Sequence, residues 1–190
     1  MLEHFITTTV LHYQSSSDLI NTTWNSLLKL LPLIQRKKRK SKGTYQTSKT
    51  LYGRSTYTRR ERFNAAHRLF RPDLTNEENF NVYGKCSNPN WHGHNYTLFV
   101  TVKAQVNPTI GFAMNLKELS AILKNEIIEK IDHKNINVEV DFMQGKIAST
   151  ENLTIAIWEV IAPLIAEKGA TLHCVRVEET ENNSAEYYGN

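Results

Sequence analysis

The stretch KCSNPNWHGHNY, residues 85–96, concentrates groups that can do chemistry. His92 and His94 stand two apart, so in an extended segment both imidazoles point to the same side and can share a metal ion, with Gly93 adding no bulk opposite. Such a pair is weak evidence alone, since two solvated histidines look the same in sequence. His67, which closes FNAAH, is the candidate third ligand. Three neutral imidazoles with an open fourth position suit a catalytic zinc, whereas Cys86 as a fourth ligand would close the site and make it structural. Spacing leaves both open. As a thiolate near a cation, Cys86 is also a candidate base or nucleophile, against the ordinary alternative of a small buried residue.

Two further groups carry titratable side chains. IDHKNI puts Asp132 beside His133, a pair that can orient a proton-transferring imidazole or simply place a histidine at a helix C-terminus. VEETENN supplies Glu178, Glu179 and Glu181. Strand alternation separates Glu178 from Glu179, so one faces solvent while the other faces a pocket. A carboxylate held there needs donors, and a ligand with two adjacent N–H groups would supply them. His173, in an apolar strand, reads as a packed or edge residue, and His4 and His12 precede all of these motifs.

The elements that must position these groups follow from periodicity. YTRRERFNAAH reads as a strand. NYTLFVTVKAQV alternates, placing Tyr96, Leu98, Val100, Val102, Ala104 and Val106 on one face. Leu116, Leu119, Leu123, Ile127 and Ile131 recur at three and four, which predicts an amphipathic helix with Asn115 as N-cap. A loop through DHKNINVEVDFMQGKIA leads to a second helix at about 151–167, with Thr150 as N-cap and Leu153, Ile157, Ile161 and Leu164 inward. Pro163 should kink it or shorten its last turn. TLHCVRVEE and AEYY close the pattern as two strands. Two strands, two helices and two strands predict an α+β fold, a four-stranded antiparallel sheet with both helices on one face and open edges that association could cover.

Charge divides the chain. Residues 1–55 carry nine Lys/Arg and two acids, and residues 56–190 carry fourteen and seventeen. The basic character therefore belongs to an N-terminal extension, read as solvated and disordered, and the domain proper as 56–190. Ile20, Trp24, Leu27, Leu28 and Leu31 allow a short amphipathic helix in that extension, too short and polar to span a membrane. RKKRKSK follows the apolar run and does not precede it, unlike a secretory signal. Its functional readings are a nuclear address, an acidic-lipid patch or a nucleic-acid contact. A mitochondrial presequence fits the scarcity of acids but not the late basic cluster. With Cys86 and Cys174 alone, the chain is no disulfide scaffold, and a reducing, cytoplasmic setting is expected.

In this order, FNAAH, ENFNVYGKCSNPNWHGHNY, GFAMNL, IDHKNI, STENL and EETENN closely resemble the 6-pyruvoyl-tetrahydropterin synthase family over residues 56–189. The resemblance implies the tunnelling fold, in which trimers of such sheets close a barrel and two trimers stack into a homohexamer. It implies zinc held by His67, His92 and His94, proton abstraction by Cys86, and a supporting relay of Asp132 and His133. Glu179 matches the carboxylate that anchors the pterin and is sometimes counted with the relay, while Thr150 and Glu151 match positions near the pterin. The groups of one site need not come from one chain. The implied reaction converts 7,8-dihydroneopterin triphosphate to 6-pyruvoyl-tetrahydropterin and triphosphate, in tetrahydrobiopterin biosynthesis, with zinc as Lewis acid. Trp91, where the family commonly has a small residue, and Pro163 depart from its pattern.

The nearest rival is 6-carboxytetrahydropterin synthase, of the same fold, whose cysteine usually lies closer to His-Gly-His than the five intervening residues here. A non-catalytic pterin binder would not need every implied catalytic residue. A nucleic-acid binder would rest on RKKRKSK alone, without interleaved aromatics.

Overall fold

A computed structural model describes residues 53–189 of the chain. The helix expected within residues 20–31 and the extension that holds it lie outside the described residues. Strand β1 (Arg54–His67) pairs antiparallel with β2 (His92–Gln105) over their whole length, from Arg54 opposite Gln105 to His67 opposite His92. Strand β4 (Thr171–Glu178) pairs with the other edge of β2, and β5 (Ser184–Tyr187) with β4.

The sheet has five strands, not the four expected. The fifth, β3 (Lys134–Asn135), runs parallel to β1 at its outer edge, within the stretch read as a loop. Two residues are too few to show alternation, so only the pairing with Ala65 and Ala66 reveals it. A short helix, α1 (Asn76–Tyr83), was also missed. Its start carries a capping box: Glu78 N–H donates to Thr75 Oγ1, and Thr75 N–H donates back to Glu78 Oε2 at 2.8 Å. The Thr-Asn-Glu-Glu run was the available signal.

One sheet face is buried. Phe63, Ala65 and His67 of β1 alternate inward beside Tyr96, Leu98, Val100, Val102 and Ala104 of β2, as expected for all but Val106, which lies past the strand. The covering helices begin with α2 (Leu116–Leu123), capped by Asn115, whose Oδ1 accepts from Lys117 N–H. A π-helical turn, Lys124–Ile128, joins it to α3 (Glu129–Ile131). The turn answers a mismatch. Leu119, Leu123, Ile127 and Ile131 repeat every four residues, and each such step overshoots an α-helical turn by about 40°. A wider turn takes up the drift, and all four are fully buried. Leu116, expected inward, is exposed.

Helix α4 (Thr150–Glu167) is capped by Ser149, not Thr150: Ser149 Oγ accepts from Asn152 N–H. The cap one residue earlier brings Thr150 into the first turn. Leu153, Ile157 and Ile161 are buried as expected, whereas Leu164 is half-buried and Ile165 takes the inward place. The helix continues past Pro163 to Glu167. Among the described residues, no helix is long and apolar enough to cross a membrane.

Candidate functional site

The three histidines meet where the β1–β2 pair runs out. His67 and His92 are direct cross-strand partners, and His94 lies two residues along β2 on the same face. Their ring centroids are 4.5 to 5.2 Å apart, and one ligand atom from each falls within 4.8 Å of the others. Gly93 permits this approach, because a Cβ there would sit 3.0 Å from the Ala65 carbonyl oxygen across the ladder. Below the cluster, Tyr96 stacks on Phe63 at 4.9 Å and closes off the core. Burial and the charges of Glu179 and Cys86 push the Tyr96 hydroxyl pKa far up, so it stays neutral.

The chemistry of these imidazoles fits a metal ion. His67 is buried, and its Nδ1–H donates to the Ala148 carbonyl at 2.8 Å. A carbonyl only accepts, so Nδ1 carries the hydrogen and Nε2 presents its lone pair. That buried Nε2, like Nδ1 of His92, has no hydrogen-bond partner. Burial lowers the pKa of both rings, aided at His92 by the neighbouring histidines, which favours the neutral, ligating form. Two orphaned nitrogens, of His67 and His92, stand beside the imidazole of His94, and the three side chains could together hold a metal ion.

Glu179 faces the cluster from the end of β4. Its Oε1 is 3.4 Å from His67 Nε2 and 3.9 Å from His94 Nε2, and it accepts a 3.0 Å hydrogen bond from the Thr150 hydroxyl. Glu178 does not approach the imidazoles in this way and pairs with Arg176 at 2.7 Å. A cleft of about 450 Å³ opens beside His67, lined by Cys86, Thr150, Glu151 and Glu179. Cys86 belongs to a 3-10 turn, Gly84–Ser87, that is tied to the end of β1 because Leu69 N–H donates to the Cys86 carbonyl at 2.8 Å. The thiol is exposed and unpaired, so the bland reading of a buried small residue does not hold.

Asp132 and His133 are elsewhere. Asp132 lines a second cleft, of about 820 Å³, with His94, Glu178 and Glu179, and His133 is largely exposed on an unusual backbone, φ 60°. The two side chains meet at 3.0 Å. Asn64 N–H donates to Asp132 Oδ1 at 2.8 Å, and that bond, with His133, lowers the Asp132 pKa. Within one chain, then, Asp132 and Cys86 line different clefts that share Glu179. His173, read from sequence as a packed or edge residue, is exposed on β4 with its ring edge-on to Tyr188.

A largely antiparallel sheet backed by helices, with three imidazoles and a thiol at one end, has the architecture of the tunnelling-fold enzymes. The solved 6-pyruvoyl tetrahydropterin synthase of Caenorhabditis elegans superposes with a TM-score of 0.68 at 33% identity, covering 73% of this chain and 97% of that one. The 6-pyruvoyl tetrahydrobiopterin synthase of Dictyostelium discoideum is 45% identical over 132 residues, 70% of this chain and 94% of that protein. The protein of the same name from Homo sapiens is 39% identical over 132 residues, 70% of this chain and 90% of that protein. A family model of 6-pyruvoyl tetrahydropterin synthase matches residues 56–190. The chain belongs to the 6-pyruvoyl tetrahydropterin synthase family.

Proposed function

We propose that this protein is a zinc-dependent lyase that converts 7,8-dihydroneopterin triphosphate to 6-pyruvoyl-tetrahydropterin and triphosphate, a step of tetrahydrobiopterin biosynthesis. The observation that carries the reading is the convergence of His67, His92 and His94 beside the cleft that exposes Cys86. Those imidazoles would hold zinc, which when bound supplies Lewis acidity toward the hydroxyls of the substrate's side chain.

The remaining work falls to the chain's own groups. Glu179 anchors the amino-pyrimidine edge of the pterin, its carboxylate accepting from two adjacent N–H donors while Thr150 orients it. Thr150 and Glu151 border the bound ring. Cys86, as thiolate, removes a carbon-bound proton from the side chain, and the electron pair moves into the ring. The ring takes up protons as the side-chain carbinols become carbonyls, and triphosphate leaves from the terminal carbon. Electrons lost by the side chain are those gained by the ring, so no external oxidant or reductant is consumed. Asp132 and His133 accept and return protons in support. Their separation from Cys86 within one chain agrees with a homohexamer of two trimeric barrels, in which a neighbouring subunit completes each site. The open edges at β3 and β5 favour such closure. Two free thiols suit a reducing, cytoplasmic compartment. The domain at 56–190 carries this chemistry, and residues 1–55 form an extension to it.

Supplying 7,8-dihydroneopterin triphosphate to the full chain with zinc tests this directly. Mass analysis should find triphosphate and a pterin that keeps all three side-chain carbons. Acetaldehyde with a carboxylated pterin as the main products would make the protein a 6-carboxytetrahydropterin synthase instead.

A further inference from the structure

The segment that leads from His67 toward Cys86 is held by a side chain outside both clefts. β3 ends at Asn135, yet the ladder against β1 continues: Ile136 N–H donates to the Ala66 carbonyl at 2.8 Å. The side chain of Asn137 then takes both backbone groups of the next residue. Arg68 N–H donates to Asn137 Oδ1 at 3.0 Å, and Asn137 Nδ2–H donates to the Arg68 carbonyl at 3.0 Å. An amide side chain thus stands in for one more strand residue, with a donor and an acceptor at the spacing a peptide offers.

Asn137 is itself set in place. Its N–H donates to Asn135 Oδ1 at 3.0 Å, and Asn135 N–H donates to Glu139 Oε2 at 2.7 Å, while Glu139 N–H closes the turn on the Asn135 carbonyl at 2.9 Å. The residue that Asn137 grips adjoins three segments of the site, those of His67, Cys86 and Trp91–His92. Arg68 follows His67 directly. Its other neighbour, Leu69, bonds Cys86 through the backbone. Its guanidinium lies 3.8 Å over the Phe70 ring and 5.1 Å from the Trp91 ring, a cation in reach of two aromatics. Trp91 precedes His92 and holds φ at 63°, a conformation bulky residues seldom adopt without support.

We infer that Asn137 is a positioning residue for the candidate site, acting through the Arg68 peptide to set His67, Cys86 and the Trp91–His92 turn relative to one another. The inference rests on the metal-plus-thiol reading above. A side chain that merely stabilised the loop would lower the melting temperature and leave the behaviour of the imidazoles and thiol alone. A positioning residue changes both, because three ligand nitrogens must meet at one point and the thiol must keep its access.

The test compares the full-length chain with Asn137→Ala in three readouts: Zn²⁺ affinity by competition with a chromophoric chelator, the rate of Cys86 alkylation by iodoacetamide followed on its peptide, and thermal melting. Zinc dissociation constants should rise about tenfold, the magnitude typical of lost supporting hydrogen bonds around a metal site. Cys86 alkylation should shift by about threefold as its access changes. If Asn137→Ala does not fold, Asn137→Ser is read in the same assays, since its hydroxyl is too short to bond both Arg68 groups. Wild-type protein that binds no zinc would sink the functional reading. Wild type that binds zinc, beside a folded variant with the same affinity and the same alkylation rate, would sink the inference alone.

Discussion

At the scale of single residues, the site separates groups that would hold a metal from groups that would move protons. His67, His92 and His94 converge on one point, whereas Cys86 opens onto the neighbouring cleft from its own turn. His92→Ala should therefore abolish tight zinc binding, and Cys86→Ala should keep the zinc while losing turnover. Metal analysis of the two purified variants checks this, and zinc lost with Cys86 would make the thiol a fourth ligand. Glu179 is proposed to bear on the pterin instead. Glu179→Gln keeps its shape but removes the charge, which should weaken binding of a pterin ligand by about 1.5–3 kcal/mol, the worth of a hydrogen bond to a charged group. Calorimetry decides, and unchanged affinity would move the anchor to another carboxylate.

At the scale of elements, the site depends on side chains that join one segment to another. Asp132, at the end of α3, accepts from Asn64 N–H of β1 and so ties the helix to the sheet. That bond lowers the Asp132 pKa below its usual 3.8. A carboxylate depressed in the folded state adds stability above its unfolded pKa, and that stability is lost as pH falls through the lower folded value. Melting temperatures of wild type and Asp132→Asn should differ at neutral pH and draw together below about pH 4. A gap that stayed constant down to pH 2 would mean that the charge adds nothing to the tie. The same dependence explains Ser149. By capping α4 it leaves Thr150 in the first turn, free to donate to Glu179.

At the scale of the whole molecule, the described fold begins with β1 at Arg54. The family match starts at residue 56, and none of the candidate site residues precedes it. Removing residues 1–52 should leave zinc content, assembly mass and turnover within about twofold of the full chain, because the deletion cuts no described hydrogen bond of the sheet. Light scattering and the product assay check this together. A truncated, folded protein with little activity would assign the extension a part in catalysis.

Sequence by itself determined the elements whose pattern is long. Alternation from Tyr96 to Val106 and the helical repeat from Leu116 to Ile131 each mark one buried face, failing only at the end residues Val106 and Leu116, so period largely fixes which side chains turn inward. The His-Gly-His spacing likewise put two imidazoles on one side, and the order of motifs identified the family. What escaped was short or non-local. β3 is two residues held by pairing, and the inward place of Ile165 over Leu164 depends on how α4 rolls against the sheet. Tertiary structure alone decided that His67 stands opposite His92, because a register is a relation between strands twenty-five positions apart. It also decided that Glu179 faces the imidazoles while Glu178 pairs with Arg176, and that Asp132 opens onto a different cleft from Cys86. The physical reason is common to all of these. Periodicity records the local preference of a chain for one side of itself, whereas a site is made by distances between segments, and those are set only when the segments pack.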